Sequence, residues 1–144
     1  MSLINKILPK YKWTKRNALL DDFNFKTIED KIGFVLPKDY KDYAIEYDEN
    51  ENFIGKEYIM LWSLEKLIDW NIDYQIFENL PNTVAIGGNE NGEFIGIQFI
   101  ADDKYQIILS TYIDLDPEYN IEIGKSFTDF IERLDSGKTW FDEK

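Results

Sequence analysis

The chain has 144 residues, in which 16 lysines and arginines are set against 28 aspartates and glutamates, giving a formal net charge of −12. Such a surface repels nucleic acid and the anionic face of membranes, so the composition argues against both as partners. Histidine and cysteine are absent, which excludes histidine general bases, thiol nucleophiles, thiolate metal sites and disulfides. Most familiar enzyme mechanisms are therefore excluded.

Length and hydrophobic content predict one folded domain over residues 1–144. Hydrophobic residues make up 44% of the chain, including 4 Trp, 9 Tyr and 10 Phe, so a core can form without cross-links. No run of about 18 apolar residues occurs, and residues 1–13 lack the apolar run of a signal peptide. We therefore expect a soluble, cytoplasmic protein.

Charge is unevenly distributed along the chain. Residues 1–20 contain five basic residues and no acidic residue, so residues 21–144 carry 11 basic against 28 acidic groups, a net of −17. We interpret the basic head (residues 1–20) as a segment that packs against the acidic body and offsets its field. A basic arm that binds a partner is the alternative.

Apolar residues three and four positions apart, together with capping residues, predict four helices and a short helical turn at the N-terminus. Thr27 and Ser126 are predicted N-caps with an acid three residues later, Ser63 is a third N-cap, and Gly33 and Gly137 are predicted to end their helices. Four predicted helices cover residues 27–32, 37–47, 64–71 and 127–134. Residues 4–11 have helical spacing, but Pro9 limits any helix there to a short turn or two.

Runs rich in β-branched and aromatic residues predict the strands, which cover residues 58–62, 83–86, 94–100, 105–110 and 120–123. Residues 48–52 are predicted to form a polar loop. The Gly87-Gly88 pair allows positive φ where a strand leaves the sheet, and Asn91-Gly92 is typical of a hairpin turn.

These elements predict an α+β fold. Several strands are joined by short connections, which indicate antiparallel neighbours, because parallel pairing needs a crossover of about a dozen residues or more. We expect a single domain with a central antiparallel meander sheet. Helices at the N-terminus, after the first predicted strand and at the C-terminus are expected to pack around it.

Four segments in register carry a family pattern. They are IEDKIG (28–33) leading into LPKDYKDY (36–43), LWSLEKL (61–67) with Asn71, VAIGGNENG (84–92) and SFTDFI (126–131). Together they resemble the SUKH superfamily, which includes fungal regulators of cell-wall synthesis and many bacterial immunity proteins. The family-like core covers about residues 24–136. One departure is at residues 47–50, where Asp and Asn replace a glycine often found at the chain reversal.

The resemblance implies a non-enzymatic protein-binding domain without a cofactor or metal. Bacterial members are immunity proteins, or antitoxins, that hold a cognate toxin, often a nuclease, in an inactive complex. An acidic body suits a basic toxin domain, because a nuclease needs positive charge to hold phosphate. Ordinary solubility charge is the alternative reason for the net charge of −12.

The candidate partner-binding residues are acidic or polar residues of predicted loops, with one tryptophan as an apolar anchor. They are Asp48, Glu49, Glu51, Trp70, Asn89, Glu90, Glu93, Asp102 and Asp103. The edge of the core is the alternative position for Trp70, and Trp62 is expected within the core. Trp140 is expected to cap the core or to anchor a partner.

Two further hypotheses remain beside the immunity protein. One is a regulatory interaction domain without a toxin partner, and the other is a glycoside hydrolase that uses two carboxylates. The second is motivated only by the abundance of acids. Other sites fail on diagnostic residues: Phe53 and Ile59 replace the glycine and glutamate of a calcium loop, and residues 87–92 lack the Lys-Ser/Thr of a phosphate loop.

Overall fold

A computed structural model describes residues 3–16, 25–89, 92–112 and 115–139 of the chain. Within these ranges six α-helices and six strands form an α+β fold, with short 3-10 helices at Leu8–Tyr11 and Pro117–Tyr119. In chain order the elements are α1 (Leu3–Ile7), α2 (Lys26–Ile32), α3 (Lys38–Glu46), β1 (Asn50–Ile54), β2 (Glu57–Leu61), α4 (Leu64–Asp73), α5 (Ile76–Asn79), β3 (Thr83–Gly88), β4 (Glu93–Ala101), β5 (Lys104–Thr111), β6 (Ile121–Gly124) and α6 (Phe127–Asp135).

The six strands form one antiparallel meander in the order β1 to β6, which confirms the predicted fold class. β2 pairs with β3 through Met60–Gly88 and Leu61–Gly87. Gly87 permits this approach, because a Cβ atom there would lie 1.9 Å from the Met60 carbonyl oxygen. Neither Gly87 nor Gly88 uses the positive φ that glycine allows: both residues lie within β3, and the first is needed for close approach of the strands.

The sheet buries apolar side chains on both faces, because successive residues of a strand point to opposite sides. The larger cluster includes Ile95, Ile97, Ile107 and Leu109 of the sheet, and the apolar residues of α1, α2, α3 and α6 join it. A smaller cluster contains the intervening sheet residues. Its members are Ala85, Phe94 and Ile108 with Ile76 and Leu80 from the α5 region.

Ion pairs join the described part of the basic head to the body. The pairs are Lys10–Asp135 at 2.9 Å, Lys15–Glu46 at 3.7 Å and Arg16–Glu65 at 3.0 Å. The Arg16 side chain is only 7% exposed and also donates to the Ala44 carbonyl oxygen. In addition, Trp13 donates its indole N–H to the Tyr43 hydroxyl at 2.9 Å. The packing interpretation of the head is therefore confirmed for residues 3–16.

Helix ends follow several of the predicted signals. Ser126 Oγ accepts a hydrogen bond from the backbone N–H three residues later, and Gly33 ends α2 with a φ of 85°, both as predicted. Ser63 occupies the N-cap position of α4 without a side-chain hydrogen bond. The prediction for Thr27 is wrong, because α2 begins one residue earlier, at Lys26.

Among the α-helices and strands, two lie where neither is predicted. β1 begins at Asn50, inside the predicted polar loop 48–52, and pairs with β2 over its whole length. Its alternate side chains are exposed, so polar residues of low strand propensity are tolerated once β2 supplies the hydrogen bonds. α5 has four residues, which is too short to produce a helical periodicity.

Asn71 connects α4 to β3 through its side-chain amide. The side chain is fully buried, and its Nδ2 donates to the Ala85 carbonyl oxygen at 2.9 Å. The Ala85 N–H donates to Asn71 Oδ1 at 2.7 Å. The last residue of β2, Leu61, pairs with Gly87 of β3. At Ala85, two residues earlier in β3, the Asn71 amide makes the hydrogen bonds that a neighbouring strand would otherwise make.

We expect Asn71→Ala to lower the free energy of unfolding by about 3 kcal/mol, because it removes both partners of the buried Ala85 backbone groups. Asn79→Ala is the matched control: its exposed amide donates to the carbonyl oxygen of Gln75, four residues back, as Asn71 does to Leu67. That variant should lose about 0.5 kcal/mol or less. Denaturant unfolding of both measures the difference, and equal losses would contradict the role given to Asn71.

The Arg16–Glu65 pair predicts a pH-dependent stability. Hydrogen bonds from the Arg16 guanidinium hold the pKa of Glu65 below its ordinary value of 4.5. A lowered carboxyl pKa stabilises the folded chain above the ordinary value, and the effect is lost as the pH falls through the folded-state pKa. Glu65→Gln should therefore be less stable than the wild type at neutral pH, by the small amount typical of exposed pairs. The difference should shrink below about pH 4 in parallel urea titrations; a constant difference would exclude this linkage.

Candidate functional site

A cleft of about 570 Å³ opens where the hairpin of β1 and β2 meets strands β3, β4 and β5. β1 begins there beside the end of β2, and β4 begins beside the ends of β3 and β5. The ends of β2 and β3 also meet there, because these two antiparallel strands pair through only their last two residues. The volume of the cleft is within the range of about 300–1,000 Å³ typical of ligand pockets. The cleft is therefore the first candidate for a functional site in the described part of the chain.

Four rings form the aromatic wall of the cleft: Trp62, Trp70, Tyr74 and Tyr112. Trp70 and Tyr74 lie four residues apart at the end of α4, so their rings come together at 5.6 Å between centroids and 13° between planes. Trp62 stacks on Trp70 at 5.7 Å, and Tyr74 stacks on Tyr112 at 4.2 Å. The wall therefore joins the end of α4 to the residues that follow β2 and β5.

Tyr112 is the most enclosed hydroxyl of the aromatic wall. Burial raises the pKa of this phenol above its ordinary value of 10.0, and the neighbouring Tyr74 adds to the shift. The ring therefore stays neutral at physiological pH. A Cβ atom on Gly88 would lie 3.4 Å from the Tyr112 hydroxyl and 2.9 Å from the Glu93 carbonyl oxygen. Backbone rather than a side chain thus borders the cleft at Gly88.

Three carboxylates form the acidic rim of the cleft: Glu49, Glu51 and Glu93. Glu51 is paired across the sheet with Met60, which is paired in turn with Gly88, so their side-chain positions share one face. Glu49 forms an ion pair with Lys66 at 3.4 Å. Among the described residues, no ion pair holds Glu51 or Glu93. The cleft therefore combines an apolar surface with two carboxylates that no described lysine or arginine pairs with.

The structure brings four of the predicted partner-binding residues to this cleft: Glu49, Glu51, Trp70 and Glu93. Asn89 lies beside them but is 3% exposed, and its amide donates to Glu93 Oε1 at 2.9 Å. Asp48 is exposed, and its Oδ1 accepts the backbone N–H of Glu49. Glu90 and Trp140 lie outside the described residues.

Asp102 and Asp103 lie at the opposite end of β4 from Glu93, in the turn that leads to β5. There they border a second hollow of about 500 Å³ together with Val35 and Phe99. The structure therefore separates the predicted acidic residues into two groups at the two ends of a nine-residue strand.

Three residues of the cleft were not singled out from the sequence: Met60, Tyr74 and Tyr112. The spacing of Trp70 and Tyr74 is a detectable signal, because residues four apart on a helix are neighbours. Tyr112 carries no such signal, since only the pairing of β5 with β4 brings it to the cleft. Trp62, expected within the core, is half-buried: it packs against both apolar clusters and also lines the cleft.

The described lining of the cleft offers an aromatic surface beside carboxylate groups. No group of three or more acidic side chains suited to a metal ion occurs among the residues that the structure describes. Likewise, no helix in the described ranges is long and apolar enough to span a membrane.

Comparison with known proteins gives one finding on identity. No curated protein matches the chain significantly. The model of the SMI1/KNR4 family (SUKH-1) matches residues 20–133, a range that contains all four segments noted in the sequence. A match over most of the chain shows that this protein belongs to the SMI1/KNR4 family (SUKH-1).

Proposed function

We propose that the chain is an immunity protein, an antitoxin that neutralises a cognate toxin of bacterial origin by direct, non-catalytic binding in the cytoplasm. Family membership is consistent with this role. The observation that carries the proposal is the cleft, in which the aromatic wall stands beside two carboxylates, Glu51 and Glu93, that lack a cation among the described residues. These are features of a surface that binds a protein.

Electrostatics favour a basic partner, such as a nuclease domain. The ion pairs of the head use Lys10, Lys15 and Arg16 within the fold, while the net charge of the whole chain remains −12. A field of this sign speeds the encounter with a positively charged protein and disfavours acidic competitors. An acidic protein placed on the phosphate-binding surface of a nuclease would also exclude its substrate.

The aromatic wall supplies the apolar contact that charge alone lacks. Tryptophan and tyrosine are enriched among the residues that dominate binding energy, because they bury a large area in few rotamers. Tyr74 is 37% exposed although it stacks on three other rings, so part of its surface is free to contact a partner. The acidic rim then surrounds this contact.

The direct experiment is co-expression with the toxin-like product of a neighbouring gene. We expect restored growth and a stable complex on a sizing column. A toxic product that is neither neutralised nor bound would refute the immunity role. Retention of a non-toxic regulatory protein instead would favour a regulatory interaction domain.

Within such a complex, Trp70→Ala should weaken binding by about thirtyfold or more, mainly through faster dissociation, as expected for a central aromatic contact. Phe53→Ala is the matched control, because this aromatic side chain is 54% exposed and packs on Tyr58 rather than on the aromatic wall. Surface plasmon resonance with the purified toxin measures both rates. Equal effects of the two substitutions would place the interface elsewhere.

Glu93→Lys, alone or with charge reversal at Glu90, should slow association more than it speeds dissociation, since a rim charge acts mainly on the encounter rate. The difference from the wild type should decrease as salt is raised, because screening shortens the range of the field. Glu132→Lys, on an exposed position of α6, makes the same charge change away from the cleft. Stopped-flow kinetics that show the same salt dependence for Glu93→Lys and the wild type would exclude Glu93 as a rim charge.

A further inference from the structure

We infer that the cleft receives an arginine side chain of the partner, with its guanidinium on Glu93 and its methylene stem along Trp70 and Tyr74. The inference rests on the proposed function, because it names the group through which a protein partner enters the cleft. It concerns a different property, namely the chemistry of the occupant, and it is testable on the isolated chain.

The carboxylate of Glu93 is held in a defined position. The side chain of Asn89, which is almost completely buried, donates to Glu93 Oε1 at 2.9 Å. The backbone N–H of Asn89 also donates to the Glu93 carbonyl oxygen at 3.3 Å. One carboxylate oxygen is fixed in this way, and no donor from the described residues reaches the other. That oxygen can therefore accept a charged donor, and charge-assisted hydrogen bonds are the stronger kind.

The aromatic wall favours a planar cation with an apolar stem. Trp62, Trp70 and Tyr74 are nearly parallel, with interplanar angles of 25° or less between each pair. A guanidinium group is planar, stacks on aromatic rings and is more weakly hydrated than an ammonium, so it loses less hydration on entering a cleft of this kind. Arginine therefore suits this site better than lysine.

The ion pairs around the cleft show which carboxylates of the acidic rim already have a basic partner within the described chain. Lys66 already pairs with Glu49 at 3.4 Å, at the margin formed by the start of β1. Glu51 and Glu93 have no ion pair with a described residue, although basic side chains are paired with acids elsewhere in the fold. A cation supplied by the partner would complete the rim at these two carboxylates.

The test uses capped amino acids as probes of the isolated chain. N-acetyl-arginine methylamide, its lysine counterpart and its citrulline counterpart are titrated separately, and the tryptophan indole N–H signals are followed by NMR, with Trp70 assigned from a Trp70→Phe variant. Citrulline has nearly the same shape as arginine but no charge. We expect saturable shifts of the Trp70 signal with arginine, about threefold or more weaker binding of lysine, and no saturation with citrulline.

Substitutions at two rim carboxylates test where the guanidinium binds, and a substitution on α6 is the control. Glu93→Gln should weaken arginine binding about fivefold or more, because it removes the charged acceptor, whereas Glu132→Gln on α6 should leave binding unchanged. Glu51→Gln, at an exposed position of an edge strand, is a second rim variant that does not depend on the contact with Asn89. It should weaken binding in the same direction.

Several outcomes would overturn the inference. Citrulline binding as tightly as arginine would show an apolar site, and equal binding of lysine would show general attraction of cations. Equal affinities in Glu93→Gln and Glu132→Gln would place the arginine elsewhere. The probe needs no toxin, so the two proposals fail separately: toxin neutralisation without arginine binding refutes only this inference, and arginine binding without any toxin complex refutes only the immunity role.

Discussion

Two hydrogen bonds between the Asn71 amide and the backbone of Ala85 fix α4 on the sheet, and the geometry of the cleft depends on them. Where β2 ends, β3 is left with an N–H and a C=O that an apolar side chain on α4 would leave unpaired, at a high cost in a buried position. The amide satisfies both groups at once. Since Trp70 precedes Asn71 directly and Tyr74 follows within one helical turn, the same anchor sets the direction of the aromatic wall.

β3 contributes to the cleft a second time through its glycines. Gly87 allows β2 to approach, and Gly88 keeps the border of the cleft free of a side chain next to Tyr112. β3 is therefore hydrogen-bonded to α4 at Ala85, and at Gly87 and Gly88 it has no side chain. This combination explains how a fully buried strand can stand behind an open cleft without filling it.

The sequence allowed the sheet and most helices to be predicted, because strands such as Phe94 to Ile100 are rich in β-branched and aromatic residues. It did not reveal β1, whose Asn50 and Glu51 have low strand propensity and are stabilised by pairing with β2. The three carboxylates of the acidic rim were recognisable as acidic residues of predicted loops. The aromatic wall was not recognisable, because Tyr112 joins it through strand pairing and Trp62 serves both core and cleft.

The side chains of the aromatic wall and of the acidic rim differ in how far they pack against the buried clusters. Trp62 and Tyr112 pack against the buried clusters, so a change there disturbs folding as well as the cleft. Glu51 is exposed on an edge strand, and Glu49 lies just before that strand in an exposed position. Substitutions at these exposed carboxylates change the charge of the rim with little effect on the free energy of unfolding. The charge of the rim can therefore change by substitution at Glu49 and Glu51 independently of the rings, whose positions are fixed by their packing on the core.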